Sequence, residues 1–445
     1  MGAKGQRTRL RLLDATEALL NTIPLRELTV AQIVRRADTS TATFYVYFND
    51  VSAAVLALIG ELTQSPPGLL SLFGRSWDGE TALERAHDFV GSYVDRCQQH
   101  AAAFRVRNLS SDEGEPRFTE LRLNAVQPLL NIMADRVAER QKAGELPAYL
   151  NPVSIAGALL AMIERIAVVQ LSPHTGVTRP RLLDVAAFLT AVLFGRGFLD
   201  LHRAIAASAF EAEAAIVGGT DYQPAAARAE AAGAQINMHG QSIGAKGART
   251  RERLVEATRD LLQAESLLDL SVAKIARSAG TSTSTFYLYF QDAPEAVLAA
   301  VTEVAQTTPE LLAMWDGDWE AGAAEERAHQ FIEDYNARWR EHRALFRVRN
   351  LAADEGDQRF VEARSDSIRP LFQTMTQRIA GFQAEGRLPA GLHPGAAAGA
   401  CLSMIDRLAV TPNLSVETGN TKAALSRASA YFLSFMMGRL PRDAF

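Results

Sequence analysis

A chain that repeats itself has few ways to fold, because both copies must adopt one structure and then find a way to pack. Residues 2–50 laid on residues 244–292, a constant shift of 242, give 29 identities in 49 positions without a gap. The run Thr39-Ser-Thr-Ala-Thr-Phe-Tyr-Val-Tyr-Phe48 answers Thr281-Ser-Thr-Ser-Thr-Phe-Tyr-Leu-Tyr-Phe290. Further along, Glu84-Arg-Ala-His87 falls on Glu326-Arg-Ala-His329, and Phe104-Arg-Val-Arg-Asn-Leu109 on Phe346-Arg-Val-Arg-Asn-Leu351. Only beyond Arg165 and Arg407 does the register slip by one, bringing Gly195-Arg196 onto Gly438-Arg439. The duplication covers nearly all of the 445 residues, a length that already exceeds one ordinary core.

Ala, Leu, Arg and Glu are abundant while alternating β-branched runs are nearly absent, so the fold class expected is all-α. Cys97 and Cys401 stand alone in unrelated contexts, which argues against a disulfide framework or a zinc knuckle and fits a reducing compartment. No apolar run reaches the ~18–20 residues needed to span a bilayer. A soluble, cytoplasmic protein with no membrane partner is expected. The net charge of −5 does not exclude DNA, because phosphate attraction is local and screened within roughly 10 Å. Lys4, Arg7, Arg9 and Arg11 precede the first acid, Asp14, and the cluster recurs as Lys246, Arg249, Arg251 and Arg253. Between the copies, residues 204–243 are rich in Ala and Gly and read as a linker, with an r.m.s. span on the order of 35 Å for a ~40-residue coil.

Each copy opens with the pattern of a helix-turn-helix. Leu12, Ala15 and Leu19 give an amphipathic first helix over about 5–22. Thr29 is an N-cap signal for a second helix whose inner face is Val30, Ile33, Val34 and Ala37. A turn at Asp38-Thr39-Ser40 follows, with Gly280 replacing Asp38 in the second copy, both tolerant of left-handed geometry. The third helix, about 41–48, buries Phe44 and Phe48 and turns its hydroxyls and tyrosines elsewhere. Asp50 caps a fourth helix carrying Val51, Val55, Leu58 and Ile59. A two-turn helix exposing small hydroxyls beside basic residues makes a poor piece of core and a good major-groove probe.

The pattern T-V-A-x-I-x-x-x-A followed by T-S-T-x-T-F-Y-x-Y-F-x-D, with Ser271 leading in the second copy, closely resembles the TetR family of one-component transcriptional regulators. The resemblance implies two units, each a three-helix DNA-binding head on a helical ligand-binding and dimerisation body, joined as an intrachain pseudodimer. Expected boundaries are 1–49 and 50–203 for the first head and body, and 244–291 and 292–445 for the second. The DNA contacts implied are Lys4, Arg7, Arg9, Thr29, Thr41, Ala42, Thr43, Tyr45, Val46 and Tyr47. Their counterparts are Lys246, Arg249, Arg251, Ser271, Thr283, Ser284, Thr285, Tyr287, Leu288 and Tyr289. Two departures stand out. Many members carry Arg or Lys where Thr41 and Thr283 stand, and a phosphate-binding Lys where Val51 and Ala293 stand, so the cations must come mainly from the basic N-terminal stretches.

Helical patterns continue at about 79–99, 101–110, 115–143, 151–170 and 180–202. In the family the last two helices of each unit form a four-helix interface. Ile155–Val169 and Leu182–Phe198, with Ala396–Val410 and Ala423–Met437, suit that use. Phe89, Tyr93, Phe104, Phe118 and Met133, with Phe331, Tyr335, Phe346, Phe360 and Met375, are the candidate lining of an effector pocket, although aromatics at helical spacing also mark plain core. Arg105 and Arg107, or Arg347 and Arg349, suit an anionic head group or pairing with Asp112/Glu113 and Asp354/Glu355 equally well.

The function expected is a ligand-responsive repressor that binds double-stranded operator DNA and is released by an apolar effector of lipid, steroid or aromatic class. A higher assembly of two chains is compatible with it. One competing reading is a ligand-binding or protein-interaction module with impaired DNA binding. Another is a helical di-iron oxidase, because Glu84-x-x-His87 and Glu326-x-x-His329 have di-iron spacing. The latter needs further inward carboxylates, and Asp88 becomes Gln330 in the second copy. No phosphate loop or nucleophile elbow is present, so no catalytic residue, metal or cofactor is expected.

Overall fold

The computed structural model describes residues 2–23, 25–62, 67–112, 115–169, 176–196, 244–264, 270–305, 309–317, 319, 322–410, 420–437 and 439. The expected linker, 204–243, and the end of the helix expected to reach 202 lie outside them. Among the described residues the fold is all-α.

The first copy comprises α1 (Ala3–Leu20), α2 (Val30–Arg36), α3 (Thr41–Tyr47), α4 (Val51–Leu62), α5 (Pro67–Ser71), α6 (Gly79–Gln99), α7 (Ala101–Asp112), α8 (Pro116–Lys142), α9 (Pro152–Val168) and α10 (Arg179–Phe194). The second repeats them as α11 (Ala245–Ala264), α12 (Val272–Ser278), α13 (Thr283–Phe286), α14 (Ala293–Ala305), α15 (Pro309–Ala313), α16 (Ala324–Glu341), α17 (Arg343–Asp354), α18 (Gln358–Ala384), α19 (Pro394–Val410) and α20 (Lys422–Met436).

Local chemistry sets the boundaries. Thr29 and Gln32 form a reciprocal capping box at α2, the Thr29 amide donating to Gln32 Oε1 at 2.7 Å. Asp50 accepts from the Ala53 amide at 2.6 Å, starting α4, and Asp292 does the same for Glu295 at 2.7 Å. Between α2 and α3 the chain turns through Asp38 at φ +48°, and its counterpart Gly280 stands at +63°. Asp is one of the few non-glycine residues that tolerate this region. Asn151 caps α9 through the Ser154 amide at 2.9 Å, with Pro152 in the first turn where its missing N–H costs nothing. At the other end of a helix, Arg140 donates to the orphan carbonyls of Val192 and Leu193 at 2.8 and 2.7 Å, closing α10.

Each head is a small helical cluster seated on its body. In the first, Leu12, Ile33, Phe44, Phe48, Val55 and Ile59 pack together, and Val106 of α7 and Phe118 of α8 close the underside. α4 therefore touches the head through α1 and the body through α7 and α8, while in the second copy α14 bridges α11 to α17 and α18.

The two bodies meet through α9 and α10 on one side and α19 and α20 on the other, with α9 against α19, α9 against α20, and α10 against α19. Nearly every residue of α9 from Ser154 to Ala167 is buried, as expected of a helix with apolar partners all round. Polar links also cross the boundary: Ser154 Oγ donates to Asn420 Oδ1 at 2.8 Å, and Tyr149 hydrogen-bonds Glu325.

Candidate functional site

The candidate reading surface is built on α3. Ser40 accepts from the Thr43 amide at 3.1 Å and shares a further hydrogen bond with the Thr43 hydroxyl at 2.9 Å, so both side chains help to fix the helix start. Ser282 and Thr285 repeat the pair at the same distances. Thr29 and Ser271 are likewise occupied as caps. Thr29, Ser40, Ser271 and Ser282 are exposed all the same, as are Thr41, Ala42, Tyr45 and Val46, and in the second copy Thr283, Ser284, Tyr287 and Leu288. Tyr45 is 55% and Val46 75% exposed, Tyr287 52% and Leu288 40%. Apolar side chains this exposed, at equivalent places in two copies, are unusual without a binding partner. Tyr47 and Tyr289 are half-buried beside them.

The basic stretch forms the first turns of α1, which starts at Ala3, two residues before the expected start. Helical spacing puts Lys4, Arg7 and Arg11 on one face, and all three are exposed. Arg9 points the other way, pairing with Glu61 at 2.5 Å and lying over the Phe48 ring at 5.8 Å. The second copy agrees: Lys246, Arg249 and Arg253 are exposed, while Arg251 lies over Phe290 at 5.3 Å. The structure thus brings Arg11 and Arg253 into the exposed basic face and turns Arg9 and Arg251 inward. The i, i+3, i+7 spacing carried that signal, once the helix is begun at residue 3.

In the bodies, Arg107 and Arg349 are buried. Arg107 is wholly buried and donates to Glu164 at 2.5 Å, joined there by Arg122 at 3.1 Å and the Tyr93 hydroxyl at 3.0 Å. Burial would raise the Glu164 carboxyl, but Arg107, Arg122 and Arg407 together hold it at about 2. The second copy places Asp406 where Glu164 stands. Asp406 accepts from Tyr335, the Trp339 indole and the Asn350 amide at 3.3, 3.1 and 3.2 Å. Arg349 instead donates to Ser367 at 2.7 Å and to Asn350, both neutral. Arg364 donates to Asp354 at 2.7 Å.

A cavity of about 110 Å³ lies against this second cluster. Its polar wall includes Tyr335, Arg349, Arg364, Arg369 and Asp406, and its apolar wall includes Phe372 and Leu402. The first copy contributes Arg165, Val177 and Leu182, so the cavity spans the boundary between bodies. Of the ten expected pocket residues, Tyr335 alone lines it. Phe89 packs edge-on against Phe73 and beside Tyr93, Phe331 against Trp315, Phe346 against Trp339, and Phe104 under Arg107. Phe118 belongs to the first head's core, and Met133, Phe360 and Met375 are buried in the bodies. Aromatic spacing marks the buried face of a helix and cannot separate core from cavity. Among the described residues no group of three His, Cys, Asp or Glu could hold a metal, and His87 stands 3.9 Å from Asp184. No single helix there is long and apolar enough to cross a membrane.

Residues 12–52 and 254–300 match the family profile of bacterial regulatory proteins, tetR family, and residues 70–190 and 311–438 match the tetracyclin repressor-like C-terminal domain. The second match alone covers more than half of the chain. The chain belongs to the TetR family. Similar curated proteins of that family are the HTH-type transcriptional regulator BetI of Klebsiella pneumoniae (strain 342), 33% identical over 98 residues, and BetI of Escherichia coli (strain K12 / DH10B), 32% identical over 98 residues. Each alignment covers 22% of this chain and 50% of the relative, so this TetR-family chain spans about half the length of the curated relatives it matches. Salmonella enterica GusR, a solved structure, aligns with a TM-score of 0.33 and 18% identity over 42% of this chain and 95% of its own.

Proposed function

We propose that the chain is a ligand-responsive repressor that holds an imperfectly palindromic operator as a single-chain pseudodimer and is released by a small-molecule effector with an apolar body. The observation that carries this reading is the pair of exposed reading surfaces, Tyr45 with Val46 and Tyr287 with Leu288, on two heads joined through one helical interface. The contacts proposed are Thr41, Ala42, Tyr45 and Val46 with Thr283, Ser284, Tyr287 and Leu288, and the two basic faces of α1 and α11 for phosphates. The names of the BetI relatives, HTH-type transcriptional regulators, point the same way.

Two reading helices enter successive major grooves when about 34–36 Å apart. A ligand seated between the bodies and preferring another spacing shifts the population away from that geometry. Gel-shift binding to DNA upstream of the chain's own gene, over a salt series, tests the proposal. Affinity is expected to fall steeply with salt; no shift at low salt, or a flat dependence, sinks it.

A further inference from the structure

We infer that a second ligand site, apart from the cavity against Tyr335, lies where the first head meets the two bodies, and that it takes a compact organic dianion, carboxylate or phosphate. The site is read from its own residues; its regulatory use rests on the regulator reading above.

A cavity of about 290 Å³ is lined by the start of α7 and the end of α9. Four guanidiniums stand on its wall, those of Arg105, Arg165, Arg179 and Arg407, and among the described residues its one carboxylate is that of Asp354. Asp354 is already shared by Arg165 and Arg364, at 2.7 Å each. Arg407 acts on Glu164, whose carboxyl it helps to hold down. Among the described residues the other two arginines donate to neutral carbonyls. Arg105 Nη2 reaches the Leu20 carbonyl at 3.4 Å, and Arg179 holds the carbonyls of Ile166 and Val169, the latter at 3.2 Å. Burial alone pulls Arg179 below the usual guanidinium range.

Two guanidiniums placed in this way match a ligand with two anionic groups, each accepting from a planar fork. Gln98 and Asn108 on the same wall suit polar groups on the body that links them. The volume stands at the lower end of the ~300–1,000 Å³ usual for small-molecule sites, which keeps the ligand compact.

Leu20 closes α1, so Arg105 ties the body to the last turn of the first head's leading helix. Beside it, His100 pairs with Glu17 of α1 at 2.8 Å. A charge-assisted hydrogen bond is roughly twice as strong as a neutral one, and the Leu20 contact is long, so a bound anion draws Arg105 off the head. Asp354 and Arg407 belong to the second copy, and the same anion therefore bears on the boundary between bodies.

Calorimetric titration of the full chain with succinate, and separately with glycerol 3-phosphate, tests this, with succinamide as the uncharged counterpart. At least one dianion is expected to bind, with succinamide weaker by roughly tenfold or more. Binding of succinate alone would assign the site to carboxylates, and of glycerol 3-phosphate alone to phosphates. Arg105→Gln is expected to weaken binding by roughly tenfold. Arg179→Lys keeps a cation at the end of α9, as Lys422 does at the equivalent place by donating to Leu408 and Ala409, but it loses the planar fork and is expected to weaken binding by a similar factor. Thermal melts verify that both variants fold. Hydrogen exchange at the amides of residues 21–23 is expected to quicken in the liganded chain. Silence with both dianions, equal affinity for the amide, either variant folding and binding undiminished, or unchanged exchange at residues 21–23 would each overturn it. No arm contains DNA, so failure of the gel shift sinks the regulator reading while leaving this site to be judged on its own titration.

Discussion

Arg165 of the first body donates to Asp354 of the second, Nη1 to Oδ2 at 2.7 Å, with both side chains 9% exposed. Arg364 holds the other oxygen of the same carboxylate at 2.7 Å. One aspartate therefore ties α9 to α17 and α18 across the boundary between copies. Burial pushes its carboxyl up, and the two arginines more than reverse this, leaving it below the usual carboxylate range. Asp354→Asn leaves two buried guanidiniums facing an amide, and removing one partner of a buried ion pair costs about 3 kcal/mol or more. Denaturant titration is expected to show that loss. A change within about 0.5 kcal/mol would mean that the bridge contributes little to the joined bodies.

Acid sensitivity follows from Glu164. Its carboxyl titrates at about 2 in the folded chain against an ordinary 4.5. A depressed carboxylate adds stability that is complete above the unfolded value and is lost as pH falls toward the folded one. The loss attributable to Glu164 accordingly runs from about pH 4.5 down to about 2. Asp354, also depressed, adds to it in the same direction. Melting temperatures taken between pH 6 and pH 3 should fall for the unaltered chain. The Glu164→Gln profile should start lower and fall less, because the amide has no charge to lose. Parallel profiles would remove Glu164 from the acid response.

Some of this was legible in the chain and some was not, for physical reasons. The turn at Asp38 and Gly280, the caps at Thr29 and Asp50, and the buried pair Phe44 and Phe48 follow from near-neighbour rules, and the structure places them where the spacing does. The interface helices were legible too, because α9 carries apolar residues all round. The cavity was not. It is lined by residues of separate helices from both copies, Tyr335, Arg349 and Asp406 with Val177 and Leu182. No periodicity reports such a relation. The inward turn of Arg9 was missed for a smaller reason: its partners, Glu61 and the Phe48 ring, come from other helices and are not neighbours in the sequence.

The helical start of α1 separates two arginines that look alike in the sequence. Arg11 is exposed on the face of Lys4 and Arg7, whereas Arg9 pairs with Glu61 at 2.5 Å. A phosphate contact contributes about one unit to the slope of log affinity against log salt. Arg11→Gln is therefore expected to lower the slope by about one with little change in stability. Arg9→Gln should leave the slope nearer the original and lower stability by up to about 1 kcal/mol, the usual worth of a surface ion pair with some added packing on Phe48. Gel shifts at four salt concentrations distinguish the two, and equal slope changes would refute the division.

The duplication frees the two heads to differ, and they do so where the side chains point outward. Ala42 and Val46 in α3 answer Ser284 and Leu288 in α13. All four are exposed. An Ala or Val side chain can make apolar contact with a thymine methyl, whereas a Ser hydroxyl can hydrogen-bond a base edge, so under the proposed function the two helices are expected to prefer different half-sites. A homodimer reads two identical halves by symmetry, but a fused pair escapes that constraint. Exchanging the pairs, Ala42→Ser with Val46→Leu and Ser284→Ala with Leu288→Val, swaps the readers while leaving both heads' cores untouched. The exchanged protein should prefer the operator with its two halves interchanged, by roughly tenfold for each base contact reassigned. Competition gel shifts with the two operator orientations read this directly, and an unchanged preference would assign the asymmetry to residues other than these four.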